Sequence, residues 1–200
     1  EICDGLATRG ITRTFAIQEL TLPIALSGQD LIGQARTGMG KTYGFGVPLL
    51  DRVFDDADIE ELDGTPRALV VVPTRELAQQ VTKDLQVAAA DIPVRLVSIY
   101  GGRPYEEQIT KLNKGADVII GTPGRLIDLH ERGNLQLDRV AILVLDEADE
   151  MLDLGFLPSV EAILQALDGN AHQTMLFSAT MPGAILTLAR RFMDKPIHIR

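Results

Sequence analysis

VAILVLDEADE, Val140 to Glu150, sets six consecutive apolar residues directly before a run rich in carboxylates. Six apolar residues without alternation describe a strand buried on both faces, the habit of parallel sheets covered by helices. The change of character at Asp146 then places acidic groups at the carboxyl end of that strand. Comparable runs recur along the chain: DLIGQ near Asp30, ALVVV at Ala68 to Val72, RLVSIY at Arg95 to Tyr100, DVIIG at Asp117 to Gly121 and TMLFS at Thr174 to Ser178, with another strand opening at Pro196. Helical patterns fall between and after them. Val160, Ile163, Leu164 and Leu167 make one stripe at i, i+3, i+4 and i+7, and Ile185, Leu188, Ala189 and Phe192 make another. Thr122 before Pro123, and Thr74 after Pro73, read as helix starts. The pattern predicts an α/β domain over residues 1–200, a central, mostly parallel sheet with helices on both faces. Ligands of such sheets bind beyond the carboxyl ends of the strands, so a motif earns attention when it follows a strand.

With 200 residues, 46% hydrophobic and 24% charged, the composition is that of a globular chain able to bury one substantial core. No apolar run is long enough to cross a bilayer and no secretion signal opens the chain, so a soluble, cytoplasmic protein is expected. One cysteine, Cys3, and three scattered histidines exclude an internal disulfide and a zinc-type ligand set. Any metal is therefore expected to arrive with a substrate. The net charge of -9 speaks against a nucleic-acid partner, but DDADIEELD, Asp55 to Asp63, holds six acids and no base, and without it the remainder carries -3. That block is expected to be a solvated loop, leaving basic residues elsewhere free to form a local patch.

ARTGMGKT, Ala35 to Thr42, follows the apolar run near Asp30 and opens a helix. It departs from the phosphate-binding pattern only in having Ala35 where a glycine is usual. On its own such a match is equally an incidental Gly-rich turn; its place between strand and helix favours phosphate, because backbone N–H groups and the positive helix end then face the ligand. In that geometry Arg36, Thr37, Gly38, Met39 and Gly40 form the loop. Lys41 neutralises β- and γ-phosphate charge, and the Thr42 hydroxyl reaches Mg²⁺. The matching half of the site is a hard oxygen ligand for Mg²⁺ at a buried strand end, which is Asp146, with Glu147 beside it to orient or deprotonate a water. Alone, Asp146 and Glu147 are also simply acids favoured at a helix start.

The whole set of motifs, ARTGMGKT, PTRELA at Pro73 to Ala78, Gly101-Gly102, TPGR at Thr122 to Arg125, DEAD at Asp146 to Asp149 and SAT at Ser178 to Thr180, resembles the DEAD-box RNA helicases in kind and order. The resemblance implies the first, RecA-like lobe of an ATP-dependent RNA helicase, binding ATP and Mg²⁺ and acting on RNA with a second RecA-like lobe of the same protein. It implies that Gln18 reads adenine, that Lys41, Asp146 and Glu147 are catalytic, and that Asp149, Ser178 and Thr180 couple nucleotide state to RNA. Pro73, Thr74, Arg75, Gly101, Gly102, Thr122, Pro123, Gly124 and Arg125 are implied to hold the RNA backbone, positioning it without reading bases. Thr14, Phe15 and Ala16 depart from the family's usual Pro-Thr-Pro before Ile17 and Gln18, Arg36 replaces the commoner Gln, and Met39 replaces Ser or Thr. The family's adenine-stacking aromatic would lie before Glu1, and motifs of the second lobe are absent, so the chain reads as a fragment expected to hydrolyse ATP very slowly by itself. An ATP-gated RNA clamp with little unwinding shares all these motifs and is the alternative function.

Overall fold

The computed structural model describes residues 1–7, 16–35, 41–56, 59 and 61–200, with backbone alone for 16–19. Seven strands form one sheet: β1 (Leu31–Gln34), β2 (Ala68–Val71), β3 (Leu96–Ile99), β4 (Val118–Gly121), β5 (Ile142–Leu145), β6 (Gln173–Ser178) and β7 (Ile197–Ile199). They lie in the order β3-β4-β2-β5-β6-β1-β7, and every pairing is parallel. The expected sheet is thus fully parallel, and all its strand ends point the same way.

Alternation along the strands explains why the sequence runs are continuous. Val70, Ile120 and Val144 turn to one face and join a core with Phe45, Leu49, Leu85 and Phe177, whereas Leu69, Val71, Ile119, Leu143 and Leu145 turn to the other and meet Leu126, Ile163, Leu167 and Ile185. The first face is covered by α1 (Ile2–Ala7), α2 (Ala16–Leu26), α3 (Lys41–Asp55) and α4 (Arg75–Ala88). The second carries α5 (Tyr105–Lys114), α6 (Pro123–Glu131), α7 (Ala148–Asp153), α8 (Leu157–Leu167) and α9 (Gly183–Phe192). Both stripes read from the sequence, on α8 and α9, pack inward, except that Phe192 is only partly buried. No helix among the described residues is long and apolar enough to cross a membrane.

The described part of the acidic block is, as expected, largely exposed and irregular beyond α3, with Asp55, Glu61 and Asp63 open to solvent. Asp55 closes α3, Asp56 accepts from Arg52 Nε at 2.7 Å, and Asp63 pairs with Arg139 at 2.7 Å and Arg67 at 3.2 Å while accepting from the Thr65 backbone and hydroxyl. Neighbouring Arg52 and Arg67 and the distant Arg139 neutralise part of the run. At the edge of β4, Gly121 is required sterically. A Cβ there would sit 2.4 Å from the Ile99 carbonyl oxygen of β3 and 2.8 Å from Leu126.

Candidate functional site

Because the sheet is parallel, the described residues of the motifs fall at the same end of it. Residues 36–40 lie outside the described residues, and so does the Gln18 side chain, although Gln18 itself sits on α2. Lys41 opens α3 beyond β1, with Thr42, half-buried, next to it. Asp146 directly follows β5, its N–H donating to the Val71 carbonyl at 2.9 Å and so extending the sheet by one bond.

Lys41 Nζ lies 2.9 Å from Asp146 Oδ1 and 3.8 Å from Glu147 Oε1, and the Lys41 and Asp146 side chains are 7% and 1% exposed. An ion pair so dry is held at a desolvation penalty, and each charge depends on the other. Burial pushes the Asp146 carboxyl upward against the opposing pull of Lys41. The Lys41 ammonium, helped by the Glu147 backbone N–H, compensates the buried Asp146 carboxylate. A carboxylate in that condition favours any hard cation delivered to it.

Glu147 caps α7 in the left-handed region, φ 53° and ψ 53°, a conformation that costs a non-glycine residue about 1–2 kcal/mol. In this conformation its Oε1 lies 3.8 Å from Lys41 Nζ. Burial first, then the neighbouring Glu150 carboxyl, raises Glu147 to about 7, with Lys41 pulling the other way. A group titrating there can accept a proton at neutral pH, as a general base must.

One turn further, Asp149 is joined to the end of β6. The Asp149 N–H donates to Ser178 Oγ at 3.1 Å, Ser178 Oγ donates to the Thr180 carbonyl at 2.6 Å, and Asp149 Oδ2 accepts from Thr180 N at 3.1 Å and Oγ1 at 2.9 Å. Burial raises the Asp149 carboxyl, but the Thr180 and Ser178 bonds outweigh it and leave it below the usual range. The contact expected between these three residues is present. Ser178 and Thr180 are not the cap of α9, which is Pro182; their hydroxyls face α7 instead.

The remaining turns follow β2, β3 and β4. Pro73 is buried, and Thr74 caps α4, its Oγ1 accepting from Leu77 N at 3.1 Å, which leaves the hydroxyl hydrogen to point elsewhere. Arg75 is half-exposed and weakly paired with Glu76 at 3.9 Å. Gly102 has φ 82°, which explains the glycine, and a Cβ there would meet Arg75 Nη1 at 3.2 Å, bringing the second and third strand-end turns together. At Gly101 a Cβ would meet nothing within 4 Å of the described residues, so sterics do not require that glycine. Thr122 occupies the cap of α6 but makes no side-chain cap bond, unlike Thr74, and Pro123 takes the first turn. Gly124 is exposed and open. Arg125 Nη1 donates to the Arg103 carbonyl and to Gln108 Oε1, both at 2.9 Å, and its guanidinium lies 4.0 Å from the Tyr105 ring centroid. Gln108, Tyr105 and Glu150 take part in this edge without having been singled out from sequence. Gln108 carried a signal: it falls in the inward stripe with Tyr105, Ile109 and Leu112, where a polar residue needs a partner.

The sheet order sorts these motifs by kind although the chain order mixes them. The turns after β3, β4 and β2 are neighbours, Asp146 follows β5 beside them, the Ser178 network ends β6, and Lys41 lies beyond β1.

This arrangement has relatives. The DEAD-box ATP-dependent RNA helicase 3B, chloroplastic, of Zea mays is 48% identical over 201 residues, covering all of this chain and 27% of that protein. The DEAD-box ATP-dependent RNA helicase CshA of Geobacillus kaustophilus is 46% identical over 196 residues, 98% of this chain and 40% of that one. The crystal structure of a DEAD box protein from the hyperthermophile Methanococcus jannaschii superposes with a TM-score of 0.90 at 38% identity, covering 99% of this chain and 52% of that chain. The chain therefore spans well under half the length of these two curated relatives. With the DEAD/DEAH box helicase model matching residues 15–188, and the strand-end motifs assembled at one edge of one sheet, the chain belongs to the DEAD/DEAH box helicase family.

Proposed function

We propose that the chain is the ATP-binding, RecA-like lobe of a DEAD-box RNA helicase, a single domain over residues 1–200 that works with a second such lobe to couple ATP binding and hydrolysis to RNA binding and local duplex unwinding. The observation that carries this reading is the sorting of strand ends: groups suited to phosphate and water chemistry on β1 and β5, backbone-facing turns on β2, β3 and β4, and the Asp149–Ser178–Thr180 network at the end of β6. The names of the relatives, ATP-dependent RNA helicases from a chloroplast and from a bacterium, support the substrates and span more than one compartment.

ATP is received by the P-loop, residues 36–40, and by Lys41, which leaves its carboxylates for the β- and γ-phosphates. The dry Asp146 carboxylate, and the Thr42 hydroxyl that follows Lys41 at the start of α3, suit Mg²⁺ carried in with phosphates. Asp146 and Thr42 would hold that Mg²⁺, which neutralises phosphate charge when bound. Glu147 orients the attacking water and takes its proton as the water oxygen bonds to the γ-phosphorus and the bond to the β-phosphate oxygen breaks. ADP and phosphate leave. Thr74, Arg75, Gly101, Gly102, Thr122 and Arg125 grip sugar and phosphate, so recognition is by backbone rather than base.

Strand displacement by the full-length protein tests the reading. RNA-stimulated ATPase with ATP-dependent separation of a short duplex is the expected result, and Lys41→Ala should abolish both. Tight ATP-dependent RNA binding without displacement would replace the helicase by a clamp.

A further inference from the structure

Gln108 is the only buried residue of α5, 3% exposed on a helix that otherwise faces outward or is half-covered. Its amide has a different partner at each end. Nε2 donates to the Tyr100 carbonyl at 2.9 Å, immediately before Gly101 and Gly102, and Oε1 accepts from Arg125 Nη1 at 2.9 Å. Only one orientation of the amide serves both: reversed, it would set NH₂ against a guanidinium and oxygen against a carbonyl. The same Nη1 also donates to the Arg103 carbonyl, on the other side of the Gly101–Gly102 turn. Arg125 is therefore tied to the backbone before and after that turn, with Gln108 as the link on one side.

Tyr105 fixes the guanidinium in the remaining direction. Its ring centroid lies 4.0 Å from Arg125 and 4.2 Å from Arg132, its hydroxyl hydrogen-bonds the Asp128 carboxylate, and Asp128 in turn accepts from Arg132 Nε at 3.1 Å. Stacking of this kind and two directed bonds leave a long side chain little rotamer freedom, and that freedom would otherwise have to be lost on binding a ligand.

From this geometry we infer that Gln108, backed by Tyr105, is a positioning residue for RNA: it sets the Arg125 charge in register with the Gly101–Gly102 turn, so that two separate strand-end turns offer one backbone-binding surface. The inference rests on the reading of Arg125 as an RNA contact. Neither Gln108 nor Tyr105 is taken to touch RNA. Gln108→Met keeps the volume and removes both hydrogen bonds, so the Arg125 charge remains but loses its link to the backbone before the turn, keeping only the Arg103 carbonyl and the Tyr105 ring.

The test uses the full-length protein, a fluorescein-labelled single-stranded oligoribonucleotide and the ATPase assay. In Gln108→Met the RNA concentration for half-maximal ATPase should rise on the order of 10-fold, as for loss of a charge-assisted hydrogen bond, while turnover at saturating RNA and affinity for a fluorescent ATP analogue stay near wild type. Tyr105→Leu should behave alike, and Tyr105→Phe, which keeps the ring, should stay near wild type. Arg125→Ala should weaken RNA binding at least as much, and Gln108→Met/Arg125→Ala should be no weaker than Arg125→Ala alone, since the two residues act as one unit. Additive losses in the double variant would overturn the proposal, as would loss of ATP-analogue binding in Gln108→Met together with unchanged RNA dependence in Tyr105→Leu. Unchanged RNA binding in Arg125→Ala would instead remove the reading on which it stands.

Discussion

Lys41→Ala should unfold more easily than Asp146→Asn, and by an amount that the site's dryness sets. In the variant the Asp146 carboxylate, 1% exposed, loses the one ammonium that compensates it, 2.9 Å away. Breaking a buried pair from one side costs about 3–5 kcal/mol when the other charge stays buried, and uptake of a proton by Asp146 moves the expectation to the lower end, about 3 kcal/mol. Asp146→Asn is milder because the amide oxygen can still accept from Lys41, which also keeps Glu147 at 3.8 Å, so about 1 kcal/mol is expected. Lys41→Ala/Asp146→Asn removes both charges of the close pair and leaves only Glu147, which takes up a proton near neutral pH, so it should fall near the Asp146→Asn value, a coupling of roughly 2–3 kcal/mol in the double-mutant cycle. Urea unfolding of the chain at neutral pH, followed by circular dichroism, measures all four. Losses that simply add, or a Lys41→Ala loss under about 0.5 kcal/mol as for a surface substitution, would refute the buried-pair reasoning.

Gly121→Ala places a Cβ against backbone that cannot yield, 2.4 Å from the Ile99 oxygen, and should cost about 2 kcal/mol or more in the same unfolding assay; a neutral result would mean that β3 and β4 separate freely there. Thr180→Ala removes one of the two bonds from Thr180 to Asp149 and leaves Lys41 and Glu147 untouched. In the full-length protein it should lower strand displacement several-fold while RNA-stimulated ATPase stays within about twofold, as fits loss of one charge-assisted hydrogen bond; equal loss of both would place Thr180 in the hydrolysis step.

The sheet was legible in the chain because strands buried on both faces cannot hide their apolar runs, and Val70, Val144 and Leu145 sit where those runs put them. Strand order was not. Nothing local to β5 says that it lies between β2 and β6, since that depends on how crossovers of similar length choose their neighbours. The same limit applies to the site. The Lys41–Asp146 pair follows from two strand-end motifs, but the left-handed Glu147 and the bond across 31 positions from Thr180 to Asp149 come from tertiary packing. The acidic block is the exposed loop its composition suggests, but its pairing with Arg67 and Arg139, which lie outside it, was not legible there. Gln108 lay in plain view as a polar residue in an apolar stripe, and only the fold supplied its two partners.

The most direct test of the account compares wild type with Glu147→Gln in the full-length protein, measuring ATPase with and without RNA alongside ATP-dependent RNA retention. The expected result is ATPase stimulated by RNA in wild type, and in the variant turnover lowered about 10²–10⁴-fold, the usual contribution of a positioned base, with ATP binding kept and RNA held more persistently. Wild-type turnover in Glu147→Gln, or an ATPase indifferent to RNA, would contradict it.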